Sequence, residues 1–178
     1  MNNIMLDIET MGNNNNASIM SIGACYFNPK TGEIGKTFHE QVSIETNGIM
    51  DASTVLWWMS QSDEARAKFE NNGSAKHCRD VLIELSYFID AGAQVWGNGA
   101  AFDNVIIRSA YNAWQLEVPW KFWNDRDVRK IVELGQMIGI DPKKDMPFEG
   151  VKHDALADAI HQAKYVSVII KKLTIQGE

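Results

Sequence analysis

Residues 4–10, with the sequence IMLDIET, place two acids in an otherwise apolar segment. Side chains alternate along a β-strand, so Asp7 and Glu9 are expected to share one face. The opposite face would carry Ile4, Leu6 and Ile8. Two like charges on a buried strand are costly unless a cation lies between them, and magnesium prefers carboxylate oxygens as ligands. A strand end with two solvated acids is the alternative, and the rest of the chain decides between them.

Length and composition are those of an ordinary globular protein. The chain has 178 residues, of which 45% are hydrophobic and 22% charged, and we expect one domain over residues 1–178. No apolar run approaches the length of a membrane span, and no signal-peptide pattern is present. Cys25 and Cys78 do not form a CxxC pair, which argues against a zinc site and fits a reducing cytoplasm.

The formal net charge of −6 limits the kind of partner. Proteins that coat duplex DNA are usually basic, so a long electrostatic footprint on nucleic acid is not expected. Contact with a few phosphates, helped by metal charge, is compatible with this charge.

The order of patterns along the chain predicts the fold class. Alternating segments separated by Gly- and Asn-containing turns predict three strands joined by short connections, and therefore antiparallel. These strands are predicted at residues 4–10, 18–27 and 34–44. Helices are predicted at 54–59, 62–69, 74–89, 102–114, 126–138 and 154–173, short strands at 94–96 and 120–123, a helix stop at 71–73 and a loop at 140–152. This order favours an α/β fold around a mixed sheet.

A second candidate segment is residues 98–103, with the sequence NGAAFD. It follows a buried strand, turns on glycines and brings Asp103 into the first turn of a helix. An acid at that position is also common for electrostatic reasons alone. Asp103 by itself is therefore equally compatible with a structural role at the helix N-terminus and with a functional role.

A third candidate segment, HDALAD at residues 153–158, opens the last helix. Asp154 is expected to cap that helix, and Asp158 lies one turn further in, among alanines that permit close approach to another element. His153 lies on the loop before the helix, where a plain surface histidine is the alternative.

Taken together, the three segments supply four acids and one histidine. The acids Asp7, Glu9, Asp103 and Asp158 could hold two divalent ions, which clamp the attacking and leaving oxygens of a phosphoryl transfer. His153 has the chemistry of a general base because imidazole titrates near neutral pH, and its loop would let it close over a substrate.

At these residues the chain resembles the DnaQ-like (DEDDh) 3′–5′ exonucleases. Residues 7–10 match the first motif, residues 98–103 the second, and His153 with Asp158 the third, in the expected order over nearly the whole chain. The opening segment, the Trp57-Trp58 pair and the length are most similar to a small branch with phage and prophage exonuclease VIII-like proteins and a mycobacterial exoribonuclease.

This resemblance implies a ribonuclease H-like fold, with a mixed five-stranded sheet of three antiparallel strands and then two parallel ones, flanked by helices. It implies two Mg²⁺ ions, for which Mn²⁺ would substitute. Asp7 would bridge both ions, Glu9 and Asp158 would complete one site, and Asp103 would serve the other. Substrate-binding positions implied at the nucleotide end are Thr10, Met11, Gly12 and Asn98.

The two adjacent tryptophans cannot both face the core of a helix squarely. Trp57 and Trp58 are therefore candidates for stacking on a base, which is worth roughly 1–3 kcal/mol, and packing is the equal alternative. Arg126 and Arg129, or Lys143 and Lys144, could touch phosphates, although solvated charges are the commoner outcome.

The leading hypothesis is a metal-dependent enzyme that removes nucleotides from the 3′ end of single-stranded DNA or RNA, in the cytoplasm of a bacterial or phage-infected cell. A ribonuclease H-like endonuclease and a catalytically silent nucleic-acid-binding module are the alternatives. The choice between RNA and DNA depends on contact with the 2′-hydroxyl, which these motifs do not locate. Relatives of this kind are often dimers, so a homodimer is one alternative for the oligomeric state.

Overall fold

The computed structural model describes residues 1–69 and 74–175. Its five strands form one sheet in the order β3-β2-β1-β4-β5. The strands are β1 (Asn3–Thr10), β2 (Ile19–Phe27), β3 (Ile34–Gln41), β4 (Gln94–Gly97) and β5 (Asp125–Asp127). β1, β2 and β3 are antiparallel neighbours, while β4 and β5 run parallel to β1. The predicted mixed sheet, with three antiparallel strands and two parallel additions, is confirmed.

Helices cover the sheet. They are α1 (Ala52–Met59), α2 (Asp63–Arg66), α3 (Cys78–Phe88), α4 (Asp103–Ala113), α5 (Val128–Met137), α6 (Pro142–Asp145) and α7 (Ala155–Ile175). Short 3₁₀ turns occur at Ile44–Thr46, Ala67–Phe69 and Phe122–Asn124. The expected helix stop at 71–73 lies outside the described residues. None of the helices described is both long and apolar enough to cross a bilayer.

The alternation of β1 divides the core between the two faces of the sheet. Ile4, Leu6 and Ile8 pack in one cluster with apolar residues of α3 and α4. Met5 belongs to a second cluster, which joins β2, β4, α5 and α7. Because side chains two residues apart share a face, Asp7 and Glu9 fall on the Met5 side, beneath α7.

The strand predicted at residues 120–123 is wrong. That segment leads into the 3₁₀ turn, and the fifth strand is the charged β5 that follows. One carboxylate oxygen of Asp125 accepts hydrogen bonds from Asn104 Nδ2 (2.9 Å), Arg108 (2.9 Å) and Trp120 Nε1 (2.7 Å). These hydrogen bonds hold a strand of charged residues at the edge of the sheet. Its formation therefore does not depend on the β-propensity of aromatic residues.

Several element ends also differ from the predictions. The helix predicted from residue 74 begins at Cys78, because His77 occupies the N-cap and accepts from the Arg79 N–H. The helix predicted from residue 126 begins at Val128, because the Asp127 side chain accepts from the N–H groups of Arg129 and Lys130. β3 ends three residues before its predicted end, and the loop predicted at 140–152 contains the short helix α6.

Candidate active site

The two acids of β1 lie where a small residue of β2 faces them. Asp7 is opposite Gly23 in the antiparallel register, and Glu9 is opposite Ser21. A Cβ atom at Gly23 would lie 2.1 Å from the backbone carbon of Ala155 and 2.2 Å from the Leu156 nitrogen. Only glycine permits this approach, which brings the first turn of α7 directly onto the sheet beside Asp7.

The start of α7 carries the third acid. Asp154 accepts a hydrogen bond from the Ala157 N–H (3.0 Å), so the predicted capping residue does bond the first turn. Asp158, one turn into the helix, then meets the acids of β1. Carboxylate oxygens of Asp7, Glu9 and Asp158 all lie within 4.8 Å of one another.

The fourth acid approaches from α4. Asp103 is buried in the first turn of that helix. Burial raises the pKa of its carboxyl group to about 7, while backbone hydrogen bonds from Ile8, Asn98 and Asp103 itself, and the charge of Arg129, oppose the shift. The bond to Ile8 ties the start of α4 to β1, so Asp103 stands beside the three-acid group.

The electrostatics of Asp7 reflect this crowding. Burial raises its pKa well above the ordinary value, and the negative charges of Asp103, Glu9 and Asp158 raise the pKa further. A bound cation would act in the opposite direction by favouring the ionised carboxylate. The donor set, which consists only of carboxylate oxygens, suits a hard divalent ion.

Gln162 is a further residue of this site that was not predicted from the sequence. Its Nε2 donates a hydrogen bond to Asp7 Oδ1 at 2.7 Å, and the side chain is 4% exposed. Gln162 lies one turn after Asp158 on the same helix face, among Ala159, Ala163 and Val166 of the buried cluster. The available signal was a polar residue at a buried-face position of an otherwise apolar helix.

His153 lies immediately before α7 with a positive φ of 62°. Its ring contacts two indoles edge-on, with centroid distances of 5.0 Å to Trp57 and 5.9 Å to Trp58. The left-handed backbone, which is uncommon for a residue with a side chain, directs the half-buried imidazole against α1.

The two tryptophans have different environments. Trp57 is 44% exposed, whereas Trp58 is 2% exposed and donates from Nε1 to the Thr10 carbonyl oxygen at 2.9 Å. Base stacking is therefore wrong as a prediction for Trp58, because its ring is covered by Phe69 and by His153. Trp57 keeps an open surface beside His153.

The implied nucleotide-binding positions form a constrained turn. Thr10 donates from its hydroxyl to the Gly12 carbonyl oxygen (2.6 Å), and the Met11 backbone bonds Ser18 and Asp51. The Met11 side chain is buried against Trp58, so it supports the turn from within.

The turn before α4 is held by the start of α5. The Asp127 carboxylate accepts from the Ala100 N–H (3.3 Å), and a Cβ atom at Gly99 would lie 2.9 Å from the Arg129 guanidinium carbon. The half-buried Asn98 has a buried Oδ1 with no hydrogen-bond partner among the residues described. Arg129 thus brings an exposed cation next to the acids.

This sheet order, with carboxylates gathered along its first strand, is the arrangement that the resemblance to the DnaQ-like exonucleases implies. Residues 2–170 match the 3′-5′ exoribonuclease Rv2179c-like domain. The chain belongs to that family.

One curated protein and two solved structures are similar to this chain. An exodeoxyribonuclease of Enterobacteria phage T4 is 27% identical over 164 residues, covering 75% of this chain and 71% of that protein. The crystal structure of cell-death related nuclease 4 (CRN-4) has a TM-score of 0.67 and 14% identity, covering 98% of this chain and 64% of the other. The nuclease domain of 3′hExo, a DEDDh family member bound to rAMP, has a TM-score of 0.57 and 16% identity, covering 98% and 92%. The two structures share the fold.

Proposed function

We propose that this chain hydrolyses phosphodiester bonds from the 3′ end of single-stranded nucleic acid, one nucleotide at a time, with divalent metal ions. The observation that carries the proposal is the convergence of Asp7, Glu9 and Asp158 within 4.8 Å, with Asp103 buried beside them. Family membership supports the reaction class.

The acids fit a two-ion site of the kind that hydrolyses phosphodiesters. Asp7, Glu9 and Asp158 would hold one ion, and Asp7 with Asp103 would hold the other. Magnesium, or manganese in its place, would supply a water of lowered pKa and neutralise charge on the leaving oxygen. The crowded negative charge of the four acids supports this assignment, because bound cations would relieve the repulsion among their carboxylates.

His153 is proposed as the general base. It would accept the proton of the attacking water, a step typically worth about 10²- to 10⁴-fold in rate. Edge-on contact with Trp57 and Trp58 would limit rotation of the imidazole.

The substrate side of the proposal uses residues around the acids. The exposed face of Trp57 would stack on a base near the 3′ end, and Arg129 would contact a phosphate. The backbone of residues 10–12 and the Asn98 side chain would border the terminal nucleotide. Arg129 is the cation whose charge acts on Asp103, which fits contact with a few phosphates.

The proposal keeps two alternatives for the sugar of the substrate, the ribose of RNA and the deoxyribose of DNA. The family description names an exoribonuclease, whereas the phage relative is named an exodeoxyribonuclease. End-labelled single-stranded RNA and DNA of one sequence, each with Mg²⁺, Mn²⁺ or chelator, would separate them. We expect a ladder of single-nucleotide losses from the 3′ end that requires metal, and the faster substrate would identify the class.

Two controls make this assay decisive. A circular single strand has no end, so we expect it to survive; cleavage of the circle would favour the ribonuclease H-like endonuclease instead. No loss of either linear substrate with metal present would overturn the proposal and favour a binding module.

A further inference from the structure

Helix α7 places two buried polar side chains under the acid cluster. Gln162 is 4% exposed and Tyr165 is 1% exposed, in a cluster otherwise made of apolar residues of the sheet, α5 and α7. Burying polar groups costs free energy unless they are hydrogen-bonded. A leucine at residue 162 would suit this packing better, so the amide needs a reason to be there.

The contacts of Gln162 supply that reason. Its Nε2 lies 2.7 Å from Asp7 Oδ1, a bond that joins residues 155 positions apart. A neutral amide N–H can donate to a carboxylate without adding charge, so the bond holds one oxygen of Asp7 in place. A carboxylate has about four acceptor sites, so the bond leaves sites for other ligands.

The rest of the amide has no comparable structural role. Gln162 Oε1 and the Tyr165 hydroxyl are buried and have no hydrogen-bond partner among the residues described. A buried glutamine kept only for stability would be expected to satisfy both ends. Among the residues described, the side chain of Gln162 makes one hydrogen bond, and its partner is Asp7, the carboxyl group on which the other three acids act.

On the basis of the proposed function, we propose that Gln162 is a positioning residue whose hydrogen bond holds the Asp7 carboxylate in the orientation required to bind a divalent cation. It would not contact the substrate. Partners of this kind behind a metal ligand typically change metal affinity by about 10- to 100-fold when removed.

The test uses Gln162→Met, which keeps the side-chain length and removes the donor. The matched control is Gln136→Met, because Gln136 Nε2 donates to Asp141 Oδ2 at 2.9 Å in the same chemical pairing, on the exposed surface. Mn²⁺ binding to the full chain would be measured by calorimetry, and kcat and KM would be measured across Mn²⁺ concentrations.

We expect Gln162→Met to bind Mn²⁺ about 10-fold more weakly or worse, and to recover activity as Mn²⁺ is raised. Its metal-free melting temperature should stay near the wild-type value, and Gln136→Met should match wild type throughout. If Gln162→Met does not fold, Gln162→Glu is tested in its place. At pH 8 the introduced carboxylate cannot donate a hydrogen bond to Asp7 and repels it, so the affinity for Mn²⁺ should fall.

The outcomes separate this inference from the proposed function. A wild-type chain that binds Mn²⁺ and degrades substrate, with a Gln162 variant of unchanged affinity, overturns the positioning role alone. A wild-type chain that neither binds Mn²⁺ nor degrades substrate overturns both. An activity loss that added Mn²⁺ does not restore would indicate a structural role instead.

Discussion

The two faces of β1 are made by the same eight residues and have opposite energetic characters. Ile4, Leu6 and Ile8 are at most 5% exposed and pack with α3 and α4. On the other face, Asp7 and Glu9 meet further acids, and burial raises the pKa of Asp7 well above its ordinary value. One face of the strand stabilises the fold, while the other carries acids whose ionised forms repel one another unless cations bind.

This contrast suggests that stability and activity can be changed independently within one strand. Substitutions on the apolar face should alter the free energy of unfolding with little effect on metal binding. Substitutions on the acid face should abolish activity with little cost, or even a gain, in the stability of the metal-free protein.

The largest effect is expected from Asp7→Asn. Removing the charge that both ions would share should lower kcat/KM by at least about 10³-fold, because several kcal/mol of charge stabilisation is lost. The metal-free protein should be as stable as wild type or more stable, since one buried like charge is gone. Nuclease assays and thermal melts measure both, and wild-type turnover by this variant would remove the metal role assigned to Asp7.

The next effect concerns His153, the proposed general base, which contacts Trp57 and Trp58. His153→Ala should slow cleavage by about 10²- to 10⁴-fold at neutral pH and remove the rising acidic limb of the pH–rate profile. Mn²⁺ affinity should stay near that of wild type, because the four acids remain. An unchanged pH–rate profile would exclude His153 as the base.

The apolar face is tested by Leu6→Ala. Leu6 is fully buried, and truncation of such a side chain costs about 2–5 kcal/mol through lost transfer energy and a residual cavity. Urea denaturation would measure this loss. Folded Leu6→Ala should bind Mn²⁺ like wild type, so a large fall in affinity would show that the two faces are not independent.

The smallest effect is a pH dependence of the metal-free protein. Burial raises the pKa of Asp103 from 3.8 to about 7, so the folded state holds that proton more tightly than the unfolded state. This contribution to stability is fully present below about pH 4 and is lost as the pH rises towards 7. The melting temperature of wild type in chelator should therefore fall relative to that of Asp103→Asn across this window. Parallel curves would contradict the buried state of this carboxyl group.

Local patterns predicted most of this architecture. The alternation in residues 4–10 correctly divided β1 between its faces, and helical spacing correctly located α3, α4, α5 and α7 to within a few residues. These features depend on local periodicity, which the sequence displays directly.

The features that were missed depend on long-range contacts. β5 is a strand because Asn104, Arg108 and Trp120 surround Asp125. Trp58, rather than Trp57, is buried because its indole bonds Thr10 across 48 positions. The side chain of Gln162 bonds Asp7, on a strand at the other end of the chain. No periodic pattern encodes which distant residue a side chain will meet.

The close approach of Ala155 to Gly23 also has a consequence for the order of events in folding. Asp158 and Gln162 reach the acids of β1 only after α7 has docked on β2, and this docking joins segments more than 130 positions apart. Contacts of such sequence separation form slowly. A partly folded chain would therefore have Asp7 and Glu9 without their partners, so competence for hydrolysis would appear last, as a single late step. Under the proposed function, a partly folded chain would not hydrolyse nearby nucleic acid until folding is complete.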